Sequence, residues 1–228
     1  HALVDTSDRH VLAELSDAVA RAASEVGRPL SLVAESDLND VVMVTPTAQG
    51  GLGMTAQWDD DVHHALHAML ERERHGYYVD FGDASTFAAA IRDVFVHNGS
   101  YSTFREEDWG APVPDDVDPA AFVVFSANHD QIGNRAIGDR PGGRSGSATT
   151  DPAPLAASAA LVLLSPFTPM LFMGEEWAAT TPFQFFTDHP EPELGEAVSQ
   201  GRAKEFGGHG WAAVYGEDVE VPDPQARS

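Results

Sequence analysis

Two carboxylates stand where a hydrolytic site would need them. Glu35 follows the apolar run at residues 30–34. Asp130 follows the run AFVVFS at 121–126, by way of Asn128 and His129. Short apolar runs of this kind read as strands buried on both faces. In parallel α/β folds, polar residues at the ends of such strands line a shared mouth. Cleavage of a glycosidic bond needs a proton donor for the leaving oxygen. It also needs negative charge beside the anomeric carbon as positive charge develops there. A carboxyl group kept protonated by burial or by neighbouring carboxylates can donate near neutral pH. Acids after strands also cap the helices that follow, and Asp37, Asn39 and Asp40 suit that work. Position alone leaves catalysis and capping both open.

Other residues offer weaker chemistry. His63 and His67 share a helix face with four-residue spacing, the geometry of a zinc pair. No His-Glu-x-x-His motif accompanies them, so packed or solvated histidines are expected and no metal site. Trp58 and Trp177 follow predicted strands and offer broad apolar faces to a sugar ring; Trp109 and Trp211 share the chemistry without the placement. Arg135 is expected to anchor its loop by pairing with a carboxylate. Glu175 and Glu176 are expected near the mouth, as caps or braces. The Gly-rich stretch 138–146 lacks the Lys-Ser/Thr pair of a phosphate loop.

Alternating elements must position these groups. Apolar spacing predicts a helix over 8–26, ended by Gly27-Arg28-Pro29. Strands are predicted at 30–34, 54–58, 121–126 and 170–173, and further helices at 62–74, 85–97 and 156–164. Asp59-Asp60-Asp61 places acids at a helix start, where the dipole favours them. Residues 104–119 and 138–154 read as loops. Strands alternating with helices imply a parallel sheet with helical crossovers. Four such strands fit an open doubly wound sheet as well as half of a barrel.

Composition sets the limits. The chain has 228 residues, 43% of them hydrophobic, enough for a sizeable core. Its formal charge of -23 disfavours nucleic acid and anionic membrane as partners. There is no cysteine, which removes disulfides and thiolate metal sites and fits a reducing, cytoplasmic setting. The apolar stretch 155–173 is interrupted by Pro166 and Pro169, so a buried helix, a turn and a buried strand are expected in place of a membrane span.

Longer motifs narrow the reading. LVAESDLND at 32–40 and FSANHDQIGNR at 125–135 resemble the acid-bearing strand and the later signature of malto-oligosyltrehalose trehalohydrolases. His129-Asp130 is shared with the wider α-amylase superfamily. TAQWDDDVHHALH at 55–67, LFMGEE at 171–176, FQFFTDH at 183–189 and VPDPQ at 221–225 resemble the same family in the same order. The similarity spans nearly the whole chain.

The resemblance implies a fold, a reaction and roles. The fold would be α/β, the C-terminal half of a (β/α)8 barrel holding strands five to eight, with residues 1–228 a partial catalytic domain. The reaction would be retaining hydrolysis of an α-1,4 bond that releases trehalose, with no metal or organic cofactor. Glu35 would be the general acid/base. Asp130 would hold sugar hydroxyls and stabilise the oxocarbenium-like state, helped by His129. His1 and Gln131 would join Trp58 and Trp177 among the substrate contacts. The family's nucleophile is an aspartate on the preceding strand, in a motif like L-R-L-D-A-V-H-A. Here His1-Ala2 resembles the end of that motif. The nucleophile is therefore expected three residues before His1, and the 228-residue chain is expected to be inactive alone. A branching, debranching or amylase activity within the superfamily, and a non-catalytic glucan-binding protein, are the alternatives.

Overall fold

A computed structural model of the chain describes residues 3–141, 152–206 and 220–226. The described residues fall into two units, one of 3–125 with 161–170 and one of 126–160 with 171–226. His1 and Trp211, the loop at 142–151 and the remaining segments lie outside the described residues.

The first unit holds a four-stranded parallel sheet in the order β1-β2-β5-β6. Its strands are β1 (Val33–Ala34), β2 (Ala56–Trp58), β5 (Phe122–Phe125) and β6 (Thr168–Met170). A separate antiparallel hairpin pairs β3 (Ser100–Ser102) with β4 (Glu107–Trp109), inside and just before the stretch read as loop. The helices of this unit are α1 (Val11–Val26), α2 (Asp60–Glu71) and α3 (Ala84–Asp93). In the chain's second part lie α4 (His129–Gly133), α5 (Pro152–Leu163), which leads to β6, and α6 (Pro192–Phe206).

Local chemistry explains the helix starts. His10 accepts the Leu12 amide at the head of α1, and Asp59 and Asp83 accept the third amide of α2 and α3. Two helix ends depart from the periodic reading. α2 stops at Glu71, not residue 74, because Arg72 takes φ 62°, and α3 stops at Asp93, not 97, because Val94 takes φ 71°. A left-handed conformation is unfavourable for a β-branched residue such as Val94. Here the backbone amides of Val96 and His97, released from the helix, donate to Asp61 at 2.8 Å each.

The core lies between the sheet and α2 and α3. Phe122 and Val124 of β5 pack with Val62 and Leu66 of α2, with Ala90 of α3 and with Phe95 just after it. Phe95 meets Phe122 edge-on at 5.6 Å. All four residues of β5 are buried, as its apolar run predicts. The same expectation fails for β1. Val33 is 51% exposed, and among the described residues β1 pairs with β2 alone.

The stretch 155–173 also departs from expectation. Val162 and Phe167 are buried, but Leu163, Leu164 and Met173 are exposed, Leu164 at 85%. The last strand is not 170–173 but Thr168–Met170. Its register against β5 runs from Val123↔Thr168 to Phe125↔Met170, so the ladder stops where β5 stops. Pro169, which has no amide hydrogen, sits in this edge strand, where the missing donor is tolerated. No helix among the described residues is long and apolar enough to cross a membrane.

Candidate active site

In the first unit, Glu35 comes directly after β1 and its side chain is exposed. The residues after it are held by partners remote in sequence. The Trp109 indole donates to the Asp37 carbonyl at 2.7 Å, and the Arg105 guanidinium meets the Asp37 carboxylate at 3.0 Å. Asn39 is buried and left-handed, with φ 52°. Its amide nitrogen donates both hydrogens, to Asp61 Oδ2 at 2.9 Å and to the His97 carbonyl at 3.0 Å. Its own carbonyl accepts from Ala111 at 2.9 Å. Of the three suggested caps only Asp40 acts as one, accepting the Val42 amide of a short 3-10 turn at 2.8 Å.

Trp58 ends β2. It is half-buried and meets Phe125 edge-on at 5.2 Å, so part of its surface serves packing. Asp59 follows it and is fully buried, with Oδ1 accepting from Val62 at 3.2 Å and Oδ2 without a hydrogen-bond partner. Burial, and then the nearby Asp61, hold its carboxyl well above the usual range.

The three histidines of α2 are all buried. His63 stacks on Phe125 at 5.4 Å, His64 on Tyr77 at 4.8 Å and His67 on Tyr78 at 4.5 Å. His67 Nε2 also lies 2.8 Å from Glu73. Burial pushes the His64 imidazole down to about 3, with the neighbouring His67 adding to the effect. These rings are core, not solvated as one reading allowed. No group of three metal-ligating side chains forms among the described residues. A cavity of about 610 Å³ in this unit is lined by charged and polar residues such as Arg9, His10 and Asp17 together with apolar ones such as Ala13 and Leu52; Glu35 does not line it.

In the second unit, Asn128 caps α4 by accepting the amides of Asp130 and Gln131 at 2.8 and 3.0 Å. His129 is exposed and Asp130 half-buried, its carboxylate accepting from the Asn134 amide. The amide oxygen of Gln131 is buried without a hydrogen-bond partner, turned away from solvent. Arg135 pairs with Asp139 at 2.9 Å, the loop anchor expected of it. Arg202, on α6, donates to the carbonyls of Gly133 at 2.6 Å and Arg135 at 2.9 Å, and so binds the end of the Asp130 turn. Trp177 is 72% exposed, the open face a stacking residue requires.

Glu175 is the brace of this unit. It accepts the Ser126 hydroxyl on one oxygen and the Phe172 amide at 2.6 Å on the other. Burial raises its carboxyl above the ordinary range against these hydrogen bonds. Sequence reasoning placed Glu175, read Asn39 as a cap and Asp61 as an acid at a helix start, and missed Arg202. The signal for Asn39 was its type: asparagine adopts left-handed backbone more readily than most residues.

No family model matches this chain. Individual relatives match nearly all of it. It is 51% identical over 225 residues to the malto-oligosyltrehalose trehalohydrolase of Arthrobacter ramosus, covering 99% of this chain and 37% of that protein. It is 49% identical over 226 residues to that of Mycobacterium tuberculosis, again 99% of this chain and 37% of the relative. The enzyme of that name from Saccharolobus solfataricus is 42% identical over 207 residues, 91% of this chain and 35% of its own length. A crystal structure described as that of a candidate alpha amylase from Salmonella typhimurium superposes with a TM-score of 0.81 at 38% identity, over 98% of this chain and 36% of that one. The chain thus spans a little over a third of the length of the proteins it matches.

Proposed function

From the premise that this chain belongs to the malto-oligosyltrehalose trehalohydrolases of the α-amylase superfamily, we propose that the protein carrying it hydrolyses the α-1,4 bond next to a terminal trehalose unit. The observation that carries this is the identity of 51% over 99% of the chain, in which the acid-bearing segment falls directly after a parallel strand. We infer that residues 1–228 form strands five to eight of a (β/α)8 barrel. Four parallel strands, edge strands at both ends and a relative nearly three times as long support that reading.

The roles follow from the resemblance around Glu35 and Asp130. β1, β2 and β5 are parallel, so their carboxyl ends share one edge of the sheet. Glu35 follows β1 directly, and Asp130 follows β5 by five residues. Glu35 gives its proton to the leaving glycosidic oxygen, then takes one from the water that resolves the covalent intermediate. Asp130 supplies negative charge and hydroxyl contacts to the sugar ring, with His129 beside it. Trp58 and Trp177 offer apolar faces to neighbouring sugars. In the family the nucleophile is an aspartate of the strand that precedes the acid-bearing one. The partner is a neutral α-glucan, which suits a chain of charge -23. We infer a cytoplasmic setting from the absence of cysteine.

The test is a product assay on the full-length protein. Trehalose released from malto-oligosyltrehalose, with little action on plain maltodextrin, is the expected result. Faster cleavage or branching of maltodextrin assigns another superfamily activity. Binding of glucan without turnover assigns a non-catalytic role.

A further inference from the structure

We propose that Asn39, with the buried carboxylate of Asp61 and the indole of Trp109, is a positioning device that fixes the aim of Glu35. The inference rests on the general-acid reading of Glu35 given above. Glu35 comes directly after a strand only two residues long. The segment just beyond it is held firmly in place. Two and four residues after Glu35, the chain is held from the side by groups drawn from three other places in the first unit.

The hydrogen bonds converge on one buried oxygen. Asp61 Oδ2 accepts from Asn39 Nδ2 at 2.9 Å and from the Val96 and His97 amides at 2.8 Å each. Three N–H donors on a buried carboxylate oxygen form charge-assisted bonds, stronger than neutral ones. Asn39 spends its second amide hydrogen on the His97 carbonyl, so its side chain has no freedom to rotate. Its left-handed backbone turns the chain sharply there, and Gly110 closes over it. A Cβ at Gly110 would collide with the His97 carbonyl and the Asn39 side chain. Trp109, next to that glycine, anchors the Asp37 carbonyl. A general acid must lie within hydrogen-bond reach of the oxygen it protonates, and an error of about 1 Å can lower the rate about 10²-fold. A device that fixes residues 37 and 39 therefore acts on the rate through Glu35.

A double-mutant cycle in the full-length protein separates this from a purely structural role. The variants are Asn39→Asp, Glu35→Gln and the pair. Asn39→Asp keeps the size of the side chain but sets a carboxylate against Asp61 and the His97 carbonyl. Expected is a drop in kcat on malto-oligosyltrehalose of about 10- to 100-fold, with KM held within about threefold. In the Glu35→Gln background the same substitution should cost less than about twofold, since an acid that is absent cannot be misaimed. An equal loss in both backgrounds, or a loss that tracks the folded fraction, overturns the proposal and leaves the function standing. If Asn39→Asp does not fold, Trp109→Phe in the same cycle keeps the ring and deletes the bond to Asp37, with the same outcomes. A Glu35→Gln protein of undiminished activity overturns the functional reading and this proposal together.

Discussion

Ser126 donates its hydroxyl hydrogen to Glu175, a residue 49 positions later in the chain. The other Glu175 oxygen accepts the amide of Phe172, so one carboxylate joins the residue that opens the Asp130 segment to the turn after β6. Arg140 reinforces the same corner, donating to the Met173 carbonyl at 2.8 Å.

Truncation at this corner should cost stability. Glu175→Ala leaves a hydroxyl and a backbone amide without their acceptor and is expected to destabilise by about 1–3 kcal/mol. Glu175→Gln, which keeps the shape, should cost less. The Glu175 carboxyl is held above its ordinary pKa, so ionising it costs folding stability as pH rises out of the usual carboxyl range. Urea titrations at several pH values should show that loss in the wild type and not in Glu175→Gln.

Loss of either proposed acid should abolish most turnover in the full-length protein. Glu35→Gln is expected to lower kcat about 10²- to 10⁴-fold, as removal of a general acid does. Asp130→Asn should lose at least as much while still binding glucan. Steady-state kinetics on malto-oligosyltrehalose decide it. A Glu35→Gln loss seen in KM alone would assign Glu35 to binding.

Arg202 should matter out of proportion to its distance in sequence from Asp130. Its guanidinium is buried between the Phe185 and Phe206 rings, at 4.9 and 4.7 Å, and serves two carbonyls of the Asp130 turn. Arg202→Lys keeps the charge but loses the planar fork, so it should not rescue. Arg202→Met is expected to destabilise by about 1.5–3 kcal/mol, the scale of a charged hydrogen bond. Thermal unfolding of the wild type and the two variants tests both.

The buried imidazole of His64 should make the fold acid-sensitive. Its pKa of about 3 lies below the ordinary 6.5, so the unfolded chain binds a proton that the folded chain refuses. Stability is therefore lost as pH falls from about 6.5 toward 3, at up to about 1.4 kcal/mol per pH unit. His64→Phe keeps an aromatic ring against Tyr77 and removes the proton site. Its stability should vary less with pH over that window in urea denaturation. An unchanged slope would mean that the imidazole titrates normally.

The sequence alone determined the elements that depend on near neighbours. Residue periodicity located α1, α2 and α3, because a helix buries one stripe of its own length. The apolar run at β5 located the central strand, and acids at 59–61 marked the start of α2 through its unpaired amides. Motif order carried the resemblance to the trehalohydrolases, since each motif, around Glu35 or around Asp130, is a run of neighbouring residues.

Tertiary structure decided what depends on remote partners. It left Val33 of β1 and Leu164, just after α5, exposed despite their apolar types. It ended α3 early, because Asp61 captures two amides 35 and 36 residues away. It turned Asn39 from a suggested cap into a buried link between Asp61 and His97, and it buried three histidines among aromatic rings. A carboxylate oxygen or an indole N–H satisfies whichever group the fold brings to it, and no local pattern of residues encodes that choice.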